Sequence, residues 1–312
     1  MHPGQRMNAA DWAILLVLSL IWGGSFFFVE IALDTVAPLT LVLIRVALAA
    51  ALLWAWLLAR GERLAMPPGA ARSFLILALL NNVVPFTLFV WAQEAITGGL
   101  ASILNATSPI WGVIVAHIFT ADEKATPAKV FGVLLGFGGV ALMIGTDFLG
   151  QIGTGALAQL ACLAATLCYA LAGVFARRFR AMGVPPIGVA TGQLSAASLV
   201  MLPLVLLFEP PWQDAAPSLE AWMALAALAL LCTSLAYILY FQLVASAGAT
   251  NSLLVTFLIP ITAILLGALI LHEQLEPRHF AGMALIGLGL AAIDGRLLRM
   301  GYGSRETPNR SG

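Results

Sequence analysis

The run LLNNVVPF, Leu79 to Phe86, sets two carboxamides just ahead of a proline inside an otherwise apolar stretch. Proline lacks a backbone donor and crowds the carbonyl four residues before it, which frees an acceptor at Asn81. Adjacent helical residues point about 100 degrees apart, so the two amides serve different purposes. Asn82 is the candidate for a polar cavity and Asn81 for patching the kink; the alternative is that both merely patch it. Two further runs have the same character. One carries Asn105, Thr107, Ser108, Pro109 and Trp111, the other Thr256, Pro260 and Thr262. Pro85, Pro109 and Pro260 are expected to act as hinges. Thr107 and Thr262 are expected to bond a neighbouring helix, whereas Asn105 is a second cavity candidate.

Aromatic side chains form the other chemically useful set: Trp22, Phe26, Phe86, Tyr169, Tyr237 and Tyr240. Such rings cradle an apolar side chain while a polar edge or a ring face meets a carboxylate or an ammonium. The competing role is an interfacial belt, which suits Trp12, Trp54, Trp56 and Trp91 better because they fall near the ends of apolar runs. Charges within these runs are few: Glu30, Glu94, Arg45 and His117. A pair between Arg45 and Glu30 or Glu94 would neutralise a costly cation, and a functional coupling role is the alternative for the three. No catalytic nucleophile, metal cluster or cofactor motif stands out; His272 and His279 are too sparse, and Cys162, Cys168 and Cys232 read as packing residues.

The elements that must hold these groups follow from composition. Of 312 residues, 61% are hydrophobic and 10% charged, against roughly 25% charged in soluble domains. Apolar runs such as Trp12 to Val29 and Leu39 to Ala59 are near the roughly 20 residues that cross a bilayer as helix. They are continuous rather than alternating, which favours helices over barrel strands. The first is expected to be a retained span rather than a cleaved signal peptide. A net charge of zero gives no sign of a nucleic-acid partner; the partners implied are a lipid bilayer and a small-molecule substrate.

Cutting at Pro, Gly and charge clusters predicts an all-α integral membrane protein with ten transmembrane helices. Their starts fall near Trp12, Pro38, Ser73, Gly99, Ala128, Gly155, Pro186, Glu220, Thr250 and Arg278. The short connections ITGGLAS and ASAGATNS leave open that spans three with four, and eight with nine, are broken single helices. If the amino terminus is cytoplasmic, 13 of the 15 Lys and Arg residues lie on the cytoplasmic side; Arg278 is outside and Arg45 is within a span. That asymmetry predicts both termini in the cytoplasm.

The chain also repeats itself. EKATPAKVFGVLLGFGGVALMIG from Glu123 aligns without a gap to EQLEPRHFAGMALIGLGLAAIDG from Glu273, matching Pro127 with Pro277, Gly132 with Gly282 and Gly139 with Gly289. Each copy closes a half of five spans. An odd repeat enters the membrane in opposite senses, so two inverted-topology five-helix repeats around a central cavity are expected. The segments are 1–11 (cytoplasmic amino terminus), 12–146 (first repeat), 147–154 (linker), 155–298 (second repeat) and 299–312 (cytoplasmic tail). The glycines allow close packing within or between chains, so a monomer or a weak homodimer is expected.

The motifs IWGGSFFFVEIAL, PLTLVLIRVALAA with its Arg45, ASILNATSPIWGVIVAHIFTADE and the E-x-x-x-P-x-x-x-x-G frame, in this order, resemble the EamA branch of the drug/metabolite transporter superfamily over about Asp11 to Leu298. Within it the sequence is most similar to YddG-type exporters of amino acids and related metabolites. The resemblance implies a ten-helix basket in a bacterial-type inner membrane, with the cavity lined mostly by spans one, three, four, six, eight and nine and with spans five and ten peripheral. The expected function is alternating-access export of small metabolites, amino acids with neutral or aromatic side chains foremost. A multidrug or toxic-cation exporter is the first alternative, and an integral membrane enzyme is the alternative of another class. The middle of the first span, LSLIWGG, lacks the glutamate on which distantly related small multidrug transporters depend.

Overall fold

A computed structural model describes residues 7–144, 155–210, 216–270 and 277–293. The predicted linker 147–154, the tail 299–312, Glu273 and His272 lie outside them. The described chain is helical throughout, without strands. Apolar runs in hydrocarbon have no water to satisfy their backbone, and the helix does so within one segment. Among the described residues, seven helices are long and apolar enough to cross a membrane. They are α1 (Ala9–Leu33), α2 (Pro38–Ala59), α3 (Ala70–Ala92), α4 (Gly98–Phe119), α6 (Ala156–Ala181), α7 (Pro186–Phe208) and α8 (Leu219–Ala247). Three further helices have shorter described apolar stretches. They are α5 (Pro127–Ile144), α9, in two pieces (Ala249–Ser252 and Val255–Ile270), and α10 (Pro277–Ile293).

Local chemistry sets the helix starts. Asn8 and Asp11 form a reciprocal capping box on α1, and Thr97 and Ser218 cap α4 and α8 through their hydroxyls. Proline opens α2, α7, α5 and α10, where its missing donor costs nothing. A turn over residues 93–97 separates α3 from α4, whereas α8 and α9 are separated by Gly248 alone, at φ +88°. At the first turn of α2, the Glu209 carboxylate accepts from the N–H groups of Leu39 (3.1 Å) and Thr40 (2.8 Å). An acid at that end complements the helix dipole.

The two copies of the repeated frame meet. A Cβ placed on Gly132 would stand 2.6 Å from the Gly289 carbonyl oxygen, and one on Gly139 2.7 Å from that of Gly282. Early residues of α5 thus face late residues of α10 and the reverse, so the two helices run antiparallel with backbones in contact. Small residues are what permit that approach in a bilayer. On the other flank of α5, Gly136 receives the Phe257 ring of α9. The remaining helices pack around a centre built by α1, α2, α3, α4, α6, α8 and α9, with α2 contributing Arg45.

Replacing Gly132 by Val is expected to cost about 1–3 kcal/mol by overpacking, read as a lower melting temperature of the detergent-purified protein. A Cβ on Gly138 would meet nothing within 4 Å, and Gly138→Ala should not lower the melting temperature, since alanine is the better helix former.

Candidate functional site

Two helices depart from α geometry at mid-length. In α3 the segment Leu79–Val83 is a π turn, and in α8 so is Leu230–Leu235. A π turn leaves backbone carbonyls out of the regular ladder and is common at functional sites. In α8, Thr233 and Ser234 repair it by donating their hydroxyls to the carbonyls of Leu228 and Ala229, both at 2.7 Å. In α3 the repair comes from the other half of the chain. Tyr237 donates its hydroxyl to the Asn81 carbonyl at 3.2 Å, the acceptor that Pro85 frees. That hydroxyl in turn accepts from the Asn82 amide at 2.8 Å.

Pro109 follows the same logic. It sits just past a break at Ala106–Thr107, and Ser108 donates to the Asn105 carbonyl four residues before the proline at 2.7 Å. Pro260 lies inside a continuous helix, and α9 breaks earlier, at Leu253–Leu254. A break at Pro260 itself is therefore not observed; the carbonyl it frees belongs to Thr256. Asn81, Asn105 and Thr256 all lie on the wall of one cavity. Thr262 bonds the Ser19 carbonyl of α1 at 2.9 Å, and Thr107 lies 3.2 Å from the Thr166 hydroxyl of α6.

That cavity gathers Trp22 and Phe26 from α1, Phe86 from α3, Asn105 from α4, Tyr169 from α6, and Tyr237 and Tyr240 from α8. Helices α5 and α10 contribute nothing among the described residues. About 90 Å³ is open to the centre of a water molecule; one water takes roughly 10–15 Å³ by this measure, so several waters or a small solute fit. The rings brace one another. Trp22 and Tyr240 have centroids 5.6 Å apart, Phe26 meets Phe89 edge-on at 5.9 Å, and Phe89 stacks on Tyr169 at 6.0 Å. Trp22 is fixed by donating its indole N–H to the Cys232 carbonyl in the second π turn, at 3.0 Å.

Two expectations need correction. Asn82 does not reach the cavity; it is wholly buried behind Tyr237, and Asn81 faces the cavity instead. The π turn inserts an extra residue, which rotates the faces away from those a regular helix would give. Asn81 is further held by donating to the Gln193 side chain at 3.3 Å. The second correction concerns Arg45. Glu30 and Glu94 are exposed and do not pair with it. The Arg45 Nε donates to the Thr233 hydroxyl at 2.8 Å, and the guanidinium carbon lies 4.0 Å from the Phe86 ring centroid. Solvated carboxylates gain little by moving into the bundle, whereas the hydroxyl and the ring face are already at the depth of the cation.

Sequence reasoning missed Ser25, Gln93 and Gln193. Gln193, fully buried in α7, had a legible signal as an amide in the middle of an apolar run. Trp54, Trp56 and Trp91 are exposed on the outer surface.

At one end of the cavity helices the halves are latched. The Glu123 carboxylate accepts from the N–H groups of Ala249 (3.2 Å) and Thr250 (3.0 Å) and from the Thr250 hydroxyl (2.5 Å), capping the start of α9. Arg177 of α6 pairs with Glu123 at 3.5 Å and also with Asp122. The hydrogen bond from Arg177 holds the Asp122 carboxyl below its usual range, against the upward push of partial burial. Such a carboxylate adds stability above its ordinary pKa and loses it only as pH falls through the lowered value. The Asp122 pair therefore stays closed across the neutral range, although an exposed pair adds little energy.

Comparison with known proteins gives the same picture at family level. The family model described as the EamA-like transporter family matches residues 11–145 and again 156–293. An uncharacterized transporter of Bacillus subtilis, YoaV, is 24% identical over 88% of this chain and 94% of its own. An uncharacterized inner membrane transporter of Escherichia coli K12, YedA, is 25% identical over 89% of each. One solved crystal structure matches with a TM-score of 0.75 at 20% identity, covering 94% of this chain and 100% of the other, a likeness that carries the fold alone.

Tyr237→Phe should lower stability by about 1 kcal/mol, since the Asn82 amide and the Asn81 carbonyl both lose a buried partner. Tyr240, whose hydroxyl makes no hydrogen bond within the protein among the described residues, should tolerate Tyr240→Phe. Equal melting shifts for the two variants would contradict this arrangement.

Proposed function

Because the chain belongs to the EamA-like transporter family, we propose that it is an alternating-access carrier exporting small metabolites, with neutral and aromatic amino acids the foremost candidates. The observation that carries this proposal is the cavity itself. Its wall takes residues from both matched segments, mixes rings with amides and proline-freed carbonyls, and is bounded by four helices with breaks or π segments. Trp22, Phe26, Asn81, Phe86, Asn105, Tyr169, Tyr237 and Tyr240 are the proposed solute-facing set. A rocking motion needs elements that change shape at mid-membrane, and the two π turns and the α4 and α9 breaks supply them.

The ten-span inverted architecture belongs to this proposal. In its favour, α5 and α10 run antiparallel and trade glycine contacts reciprocally, as equivalent helices related by an in-plane two-fold axis do. The three shorter apolar helices would complete the spans. With both termini in the cytoplasm, by the Lys and Arg distribution, the Glu123 latch lies at the inner end and closes it, and the cavity is reached from outside. An inner-membrane location suits this topology and the printed name of the Escherichia coli relative.

In proteoliposomes the carrier should give saturable flux of a neutral amino acid, competed by the unlabelled compound. Flux of nucleotide sugars or drug cations with none of any amino acid would overturn the substrate assignment, and non-saturating flux would overturn a carrier. Glu123→Ala should release α9 and speed labelling of Leu253→Cys by a maleimide applied from the inner side, in a chain otherwise free of cysteine. An unchanged labelling rate would remove the latch from the cycle.

A further inference from the structure

Arg45 is the one charged residue on the cavity wall among the described residues. It is 94% buried, with 6% of its surface exposed. Its Nε is committed to Thr233, whose own hydroxyl hydrogen goes to the Leu228 carbonyl, so the acceptor lone pair is fixed toward the guanidinium. One face is covered by Phe86. Among the described residues, the two terminal nitrogens find no hydrogen-bond acceptor and no carboxylate lies within ion-pair distance. A buried cation without a counter-ion is expensive in the membrane interior. Bundle proteins normally avoid it by pairing, which this one does not do even though Glu30 stands near the outer end of a cavity helix.

We propose that Arg45 is the anchor for a carboxylate on the transported solute, which completes the missing ion pair only when the cavity is loaded. With Nε tied, the free edge of the guanidinium presents its two terminal nitrogens, the side that meets both oxygens of a carboxylate at once. A single cation suits a monoanionic group; a phosphate dianion would call for further Lys or Arg, and the described wall has none. For an ammonium the same wall offers only neutral groups: the amides of Asn81, Gln93 and Asn105, the hydroxyls of Ser25, Thr256 and three tyrosines, and ring faces. The carboxylate therefore decides binding, while the ammonium of an amino acid is accommodated rather than required. An organic cation without a carboxylate is repelled, which separates this site from that of a drug-cation exporter.

The inference rests on the cavity being the solute site, and the test keeps the two apart. The purified full chain is challenged with three probes of one shape: L-phenylalanine, 3-phenylpropionate, which lacks the ammonium, and 2-phenylethylamine, which lacks the carboxylate. Ligand-induced thermal stabilisation gives an apparent affinity for each. Both carboxylates are expected to stabilise the wild type and the amine is not. In Arg45→Gln, affinity for both carboxylates should fall about ten- to hundredfold, with Arg45→Lys intermediate. The empty Arg45→Gln protein should melt no lower than the wild type, because an unpaired cation has been removed and Thr233 keeps its bond to Leu228. Stabilisation by the amine equal to that by the carboxylates, or unchanged carboxylate affinity in Arg45→Gln, overturns the anchor and leaves the carrier intact. If no probe binds, the assignment of the cavity as a site for such solutes falls, and the anchor with it. The wild-type comparison decides the matter even if the variant fails to fold.

Discussion

Backbone groups in hydrocarbon must find partners inside the protein, and the middle of this molecule is organised around the places where a helix cannot provide them. Proline and π turns take carbonyls out of the ladder at Asn81, Asn105, Thr256, Leu228 and Ala229. Hydroxyls answer four of these five: Tyr237 on Asn81, Ser108 on Asn105, Thr233 on Leu228 and Ser234 on Ala229. The Tyr237 bond crosses between the two halves. A polar centre thus exists because the helices are interrupted there, and the interruptions persist because the polar centre satisfies them. Arg45 is drawn into the same system through Thr233.

The periphery has the opposite character. Where α5 and α10 meet, Gly132, Gly139 and Gly289 lie against backbone atoms of the other helix and leave no room for a Cβ. That apolar seam joins the ends of the two halves, while the latch at Glu123 and the capping of α2 by Glu209 are hydrogen-bonded contacts at helix starts.

Much of this was legible in the sequence. Continuous apolar runs, four prolines at helix starts and a gapless repeat led to the helices, and the glycines of the repeat led to close packing, though not to which helices would meet. Seven of the eight cavity candidates do line one cavity, because a large ring or an amide in the middle of an apolar run has few other places to go. The misses have a common cause. A fixed helical period was applied across a π turn, which moved the cavity face from Asn82 to Asn81. The turn in α8 has no proline to announce it; only the adjacent Thr233 and Ser234, placed in the second half much as Asn81 and Asn82 are in the first, carried a hint. For Arg45 the error was chemical. An acid was sought as its partner, when a hydroxyl and a ring face sufficed to hold it and left its charge for something else.

The most direct test is where a solute sits. An experimental structure of the protein with 4-bromo-L-phenylalanine, located by the anomalous scattering of bromine, should place the bromine among Trp22, Phe26 and Tyr240 and the carboxylate on the terminal nitrogens of Arg45. Bromine in the surface groove beside Arg180 and Gln242, or a carboxylate turned away from Arg45 within an occupied cavity, would show that the polar centre serves folding and that the solute path lies elsewhere.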